Sequence, residues 1–297
     1  MTAGIEKYLT YLKAKDYSPG TLAWQRSHLE RFSSYMAKKN LGIEKVTEDQ
    51  IRSYLAFLKR SGLATRTRQA HLSALKGLFS YLVKEGIITK NPAARVKPPQ
   101  GTSSLPAVLT VEEMMRLITT PDLSTPVGVR DRAILELLYS SGLRRRELVN
   151  LNLSDLDLIS GSVRVNQGKG RKDRVVPVGE TACQVMALYL RHVRYWFLRD
   201  PREEALFIDS IKGRRMAVGT INYLVKKALK KSGLTKKVSP HTLRHSMATH
   251  LLQNQADIRY IQAMLGHASI NSTQVYTRLD LHDLKAAHRR AHPRGKR

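Results

Sequence analysis

Arg144, Lys169, His241, Arg244, His267 and Tyr276 follow one another through the second half of this chain, and these side-chain types suffice to break a phosphodiester. A planar guanidinium grips two phosphate oxygens at once, so a pair of them can hold the charge that grows on those oxygens during substitution. An ammonium and an imidazole can deliver and remove protons. A phenol can attack phosphorus, provided that nearby positive charge or a base offsets its ordinary pKa of about 10. Taken singly, each residue has a plainer reading. Arg244 could sit in a structural ion pair, and Arg144 could share a solvated basic corner with Arg145 and Arg146. His267 could be a surface histidine, and Tyr276 could pack in a core.

Helix signals decide where these groups point. Ser239 followed by Pro240 is a strong helix start, with serine as cap and proline at the first helical position. On a wheel of about 100° per residue, Leu243, Met247, Ala248, Leu251 and Leu252 make one apolar arc that includes Arg244 and His241 and leaves out His245, Thr249 and His250. An arginine on a core-facing arc is costly unless an anion meets it, and the adjoining helix N-terminus favours an anion too. The break at Gly142 and Leu143 places Arg144 at the start of the next helix, whose Glu147 and Leu148 face other ways. Lys169 lies between Gly168 and Gly170 in a tight turn flanked by Arg171, Lys172 and Arg174. This is not a nucleotide-binding loop, because the longer glycine, lysine and hydroxyl pattern is absent. His267 follows Leu265 and Gly266, where a helix should end, and Tyr276 comes a short helix later.

The 297 residues are enough for two domains, and the net charge of +27 with pI near 10.4 suits a polyanion such as nucleic acid. Residues 1–98 carry +11 of this charge and the remainder +16, so both halves are basic. A generally basic protein or one that binds anionic membrane surfaces is the bland alternative. No apolar run approaches the ~18 residues of a membrane span. The N-terminal stretch lacks the apolar centre of a signal peptide, and Cys183 alone excludes an intrachain disulfide and a cysteine metal cluster. A reducing cytoplasm is expected, with no cofactor.

Four helices are predicted in residues 1–94, marked by Ile5, Tyr8, Leu9 and Leu12, then Leu22, Leu29, Phe32 and Tyr35. Ile51, Tyr54, Leu55 and Leu58 follow behind a Thr47 cap, then Leu72, Leu75, Phe79 and Leu82. Arg66, Arg68 and Lys76 on the fourth are candidates for DNA phosphates, as are Arg171 and Lys172; the alternative is an ordinary solvated face. Residues 95–109, rich in proline and small polar residues, read as a linker, and 110–297 as the second domain. There, Thr110 and Glu113 make a capping box, and residues 131–141 form a helix stopped by Gly142. Residues 156–178 change to period two and predict a small antiparallel sheet of three strands. Helices resume at 181–197, 218–231, 240–252 and 258–265, with a last pair near Tyr276 and at 281–287.

Gly142 to Leu148, the Gly168, Lys169, Gly170 turn, His241 to His245, Leu265 to His267 and Thr273 to Tyr276 together resemble the catalytic signature of the tyrosine recombinases, most closely the Xer type. Thr65 to Arg68, Leu72 to Leu75 and Asn91 with Pro92 are similar to that family's N-terminal core-DNA-binding domain, so the likeness spans nearly the whole chain. Arg145 and Arg146 depart from the apolar or small residues usual after this arginine. The resemblance implies a mainly α fold in which a four-helix SAM-like domain and a helical catalytic domain with a small three-stranded sheet clamp DNA. It implies that Tyr276 attacks the scissile phosphate to leave a 3′-phosphotyrosyl link, that Arg144 and Arg244 bind the non-bridging oxygens, and that Lys169 protonates the departing 5′-oxygen. His241 would assist proton transfer, His267 would hydrogen-bond the phosphate, and neither metal nor ATP would be needed. The implied partners are a double-stranded site with inverted half-sites and a homo- or hetero-tetramer that exchanges strands through a Holliday junction. Residues 278–297 would be the segment docked on a neighbouring protomer, or else a frayed basic tail. Chromosome or plasmid dimer resolution is the implied role. Its rivals are the integrase of a mobile element, a type IB topoisomerase and a catalytically silent DNA-binding protein.

Overall fold

Apolar residues at helical spacing and polar caps set the helices of the protein, whose computed structural model describes residues 2–100, 107–166, 173–266 and 281–295. The chain divides into two compact units, Met1–Ser104 and Leu105–Arg297. In the first, α1 (Thr2–Ala14), α2 (Pro19–Ala37), α3 (Glu48–Arg60) and α4 (Thr65–Lys84) turn their predicted apolar stripes inward, with Phe32, Tyr54, Leu58 and Phe79 fully buried. Each such side chain stabilises by about 1.5–3 kcal/mol relative to exposure. Ser18 caps α2 by accepting from Thr21 N at 3.2 Å, and Thr47 N donates to Gln50 Oε1 at 2.7 Å at the start of α3. Residues 95–99, expected as linker, pack on this unit: Val96 is buried in its core and Gln69 Nε2 donates to Pro99 O at 2.9 Å.

The second unit is built around α6 (Pro126–Ser141), which is buried along almost its whole length. Before it runs α5 (Val111–Ile118), opened by the reciprocal Thr110 and Glu113 bonds that the sequence announces. Behind it come α7 (Arg145–Asn150) and, among the described residues, a sheet of three antiparallel strands: β1 (Leu156–Asp157), β2 (Ser162–Val165) and β3 (Arg174–Pro177). Its register pairs Val163 with Val176 and Val165 with Arg174. The helix expected over 181–197 is shorter: α8 (Glu180–His192) stops at Val193, and a 3-10 turn, Arg194–Phe197, replaces its end. The cause is Arg194, whose fork turns inward to the carbonyls of Ala205 and Glu203 and so cannot stay on a solvated helix face. Then follow α9 (Val218–Ser232), α10 (Pro240–Gln253), α11 (Ile258–Leu265) and α12 (Leu281–Ala291). No helix among the described residues is long and apolar enough to cross a membrane.

The described end of the chain is packed rather than frayed. His288 Nε2 donates to Ser140 O at 2.8 Å and His292 Nε2 to Tyr139 O at 3.2 Å, while Arg294 pairs with the fully buried Glu136. His292 Nδ1 also accepts from Arg294 N at 3.0 Å, so its ring is used as a neutral tautomer. The His288 and His292 rings stack at 4.5 Å, and burial pushes His288 down to about 4 and His292 well below the usual value. These groups are neutral when docked and protonate more readily when released. Docking is therefore at full strength above pH ~6.5 and weakens as pH falls towards 4, by about 2 kcal/mol for His288 near pH 5, with His292 acting in the same direction. Amide hydrogen exchange should show α12 losing protection between neutral pH and about pH 5 while α9, which carries no histidine, does not. Equal loss in both helices would contradict this.

Candidate active site

Two helix ends bring the arginines together. Both α6 and α11 stop at glycines in the left-handed conformation, Gly142 at φ 61° and Gly266 at φ 59°. Only glycine adopts this at little cost, and at Gly142 the methyl of Met247 already fills the space that a side chain would need. From α10, Arg244 reaches across both ends: Nη1 donates to Gly142 O and Nη2 to Leu265 O. Arg144, the residue just before α7, sends Nη2 to Gly266 O at 3.3 Å.

Glu147 corrects the sequence expectation. Rather than facing away, it turns back on its own helix start, where Oε2 accepts from Arg144 N at 2.8 Å and Oε1 from Arg144 Nη1 at 2.7 Å. Arg174 of β3 completes the cluster with two bonds to the same carboxylate, at 3.1 and 2.8 Å. Burial by itself would raise the Glu147 carboxyl, but bonds from Arg174 and Arg144 outweigh it and hold the group at about 2. The signal that reveals Glu147 is its place three residues after a helix cap, the acidic half of a capping box. Arg174 is betrayed by period two, which puts it on the side of the buried Val176.

The α10 wheel needs rotating. His250, expected off the apolar arc, is buried, as is Ser246, whereas Leu252 is 53% exposed and His241 is exposed in the first turn. Hydrogen bonds cause the shift: Leu109 N donates to Ser246 Oγ at 2.9 Å, His250 Nε2 donates to Leu109 O at 2.8 Å, and Tyr139 Oη donates to His250 Nδ1 at 2.8 Å. Arg244 stays buried, at the edge of the arc and 7% exposed, as its place in the sequence suggests.

The electrostatics favour an anion. Arg144, Arg174 and Arg244 oppose the one carboxylate of Glu147, leaving two net positive charges among these described residues. Burial, then the charge of Arg144, weakens the hold of Arg244 on its proton, although Glu147 opposes them. A guanidinium remains charged at pH 7 nonetheless, so the strain is relieved by an anion and not by proton loss. His241 is pushed below its usual range by loss of solvation and by the charges of Arg145, Arg244 and Arg144, all of which favour the neutral ring. Of the other expected site residues, Lys169, Arg171, Lys172, His267 and Tyr276 lie outside the described residues. In the first unit Arg66 is exposed, Arg68 bonds Thr65 Oγ1 at 2.8 Å, and Lys76 is held on Ala94 O at 3.3 Å.

Two guanidiniums share the carboxylate of Glu147 and a third, Arg244, lies buried beside them, so the cluster carries the net positive charge that suits an anion. Residues 107–282 match the phage integrase family and residues 5–86 the phage integrase N-terminal SAM-like domain. The chain belongs to the phage integrase family, that of the tyrosine recombinases. It is 39% identical to tyrosine recombinase XerC of Pelotomaculum thermopropionicum over 100% of both chains, and 35% identical to tyrosine recombinase XerD of Staphylococcus haemolyticus over 98% of each. Among solved structures, the XerH site-specific recombinase bound to a palindromic difH substrate, a post-cleavage complex, superposes with a TM-score of 0.70 at 26% identity, covering 95% of this chain and 82% of that one.

Proposed function

We propose how this chain, as an Xer-type tyrosine recombinase, carries out site-specific recombination of DNA. Tyr276 forms a bond from its phenolic oxygen to the scissile phosphorus, the bond from phosphorus to the 5′-oxygen breaks, and a 3′-phosphotyrosyl link with a free 5′-hydroxyl results. Neutral His241 accepts the phenolic proton, directly or through the phosphate, and Lys169 gives a proton to the departing oxygen. Arg144 and Arg244 hold the two non-bridging oxygens, with His267 adding a hydrogen bond. The observation that carries this reading is the arginine cluster around Glu147. A phosphodiester bears one negative charge and its pentavalent transition state about two, so the two net positive charges fit the transition state better than the ground state. The link conserves the energy of the broken bond, so the 5′-hydroxyl of a partner strand can reverse the step without ATP.

Four protomers on two sites, pairing inverted half-sites, would make the sequential exchanges that pass through a Holliday junction. Full-length similarity to XerC and XerD favours dimer resolution of chromosomes or plasmids over the integration of a mobile element. The working place is then the cytoplasm.

The test is incubation with nicked duplexes carrying candidate sites, in EDTA, followed by a search for SDS-resistant protein on DNA. An adduct and, on intact pairs of sites, branched junctions are expected. Adduct without junctions points to single-strand relaxation of topoisomerase type, and tight binding without adduct on a verified site points to a silent binding protein. A plasmid carrying two directly repeated sites should be resolved into two circles if the role is dimer resolution.

A further inference from the structure

Arg174 spends its whole fork inside the protein. Its Nη1 and Nη2 take both oxygens of Glu147, its Nε donates to Met264 O at 2.9 Å, and its side chain is 12% exposed. Each of its three nitrogens is already committed to a partner within the protein. Arg144 differs: it gives Glu147 a single side-chain nitrogen, Nη1 at 2.7 Å, and its side chain is 24% exposed. A buried carboxylate with Arg144 as its sole cation would draw that guanidinium into a two-pronged pair, the geometry that such groups prefer. The charge offered to DNA would then be cancelled.

We infer that Arg174 is a positioning residue that serves as the counter-ion of Glu147, so that Arg144 stays available to the scissile phosphate. This inference rests on the role proposed above for Arg144. The same side chain fixes where α11 ends, since it bonds Met264 O and its guanidinium lies against Gly266, 3.2 Å from where a Cβ would stand. One residue thus holds a carboxylate, a helix end and, through them, the two supports of Arg144: Glu147 and Gly266 O.

The test compares Arg174→Ala, Arg174→Lys, Glu147→Gln and the double variants Arg174→Ala/Glu147→Gln and Arg174→Lys/Glu147→Gln. Three quantities are measured: adduct formation on a nicked duplex, affinity for the intact site, and the rise in melting temperature on adding inorganic phosphate, with Arg244→Ala as the baseline. Arg174→Ala should form adduct about 100-fold more slowly, the size expected when a charge-stabilising group is misplaced, with affinity changed only a few-fold. Adding Glu147→Gln should restore about tenfold of this, because the carboxylate that captures Arg144 is then gone. A residue that merely held the fold together would show no such rescue. Arg174→Lys keeps the charge but not the fork and should fall between; with its double variant it serves for the comparison if Arg174→Ala does not fold. Losses that multiply in the double variants, or Arg174→Ala cleaving within threefold of the wild type, overturn the inference. If the wild type forms no adduct, the proposed chemistry fails, and the phosphate-dependent melting shift decides this inference by the same pattern of loss and rescue.

Discussion

The Tyr276→Phe variant leaves no SDS-resistant protein on a nicked site, while its affinity for the intact duplex stays within about twofold of the wild type, since phosphate contacts and not this hydroxyl dominate binding. The substitution removes one oxygen and keeps the ring. What disappears is the atom that bonds to phosphorus. A partial loss is not expected, because no step of the link can form without that oxygen and water is not a substitute that leaves protein on DNA. All 51 lysines and arginines of the chain are kept. An adduct that persists in the phenylalanine variant would move the nucleophile to another hydroxyl and overturn the assignment.

Arg244→Ala should slow adduct formation by about 10²–10³ at saturating DNA, whereas Arg145→Ala should change it only a few-fold. Both charges act on the His241 ring, but the two residues differ in kind. Arg244 is buried, and its fork is aimed by two main-chain carbonyls, so its position is set before DNA arrives. Its loss also leaves the carbonyls of Gly142 and Leu265 without their donor, at a further cost of about 1–3 kcal/mol in stability. A urea titration measures this part separately. Arg145 is only half-buried, and its removal should mainly flatten the salt dependence of binding by about one unit of slope. It should also let His241 titrate at higher pH, since Arg145 is the first of the charges holding that ring down. The acid limb of the cleavage profile would then move up in pH. Equal losses in the two variants would show that burial and aim do not distinguish them.

Much of this was legible in the sequence because helix ends are written in local chemistry. Thr110 and Ser239 cap the helices that follow them, and Gly142 and Gly266 end theirs in the left-handed conformation, each readable within four residues. The alternation of Val163, Val165 and Val176 likewise marks the sheet. What stayed hidden depends on partners far along the chain. The burial of His250 follows from Leu109 and Tyr139, that of Glu147 from Arg174, and the early end of α8 from carbonyls beyond Phe197. A helical wheel counts apolar side chains and cannot tell that an imidazole with both nitrogens satisfied belongs with them. The site was half readable for the same reason. Its arginines stand beside backbone breaks, which are local, but the carboxylate that organises them is bound by a strand 27 residues away.

The C-terminal end of α6 has three of its carbonyls spoken for by distant groups: Tyr139 O by His292, Ser140 O by His288, and Gly142 O by Arg244. A helix end has four carbonyls without partners of its own, so these donors complete one turn of peptide that no single element could satisfy. The chain's last helix and the buried Arg244 are thus stitched to the same few atoms. Whatever factor the seating of α12 contributes to the affinity for phosphate, a bound phosphate must return to the seating of α12. If Arg244 holds the scissile phosphate as proposed, occupancy of the DNA site and the position of the tail are two readings of one equilibrium.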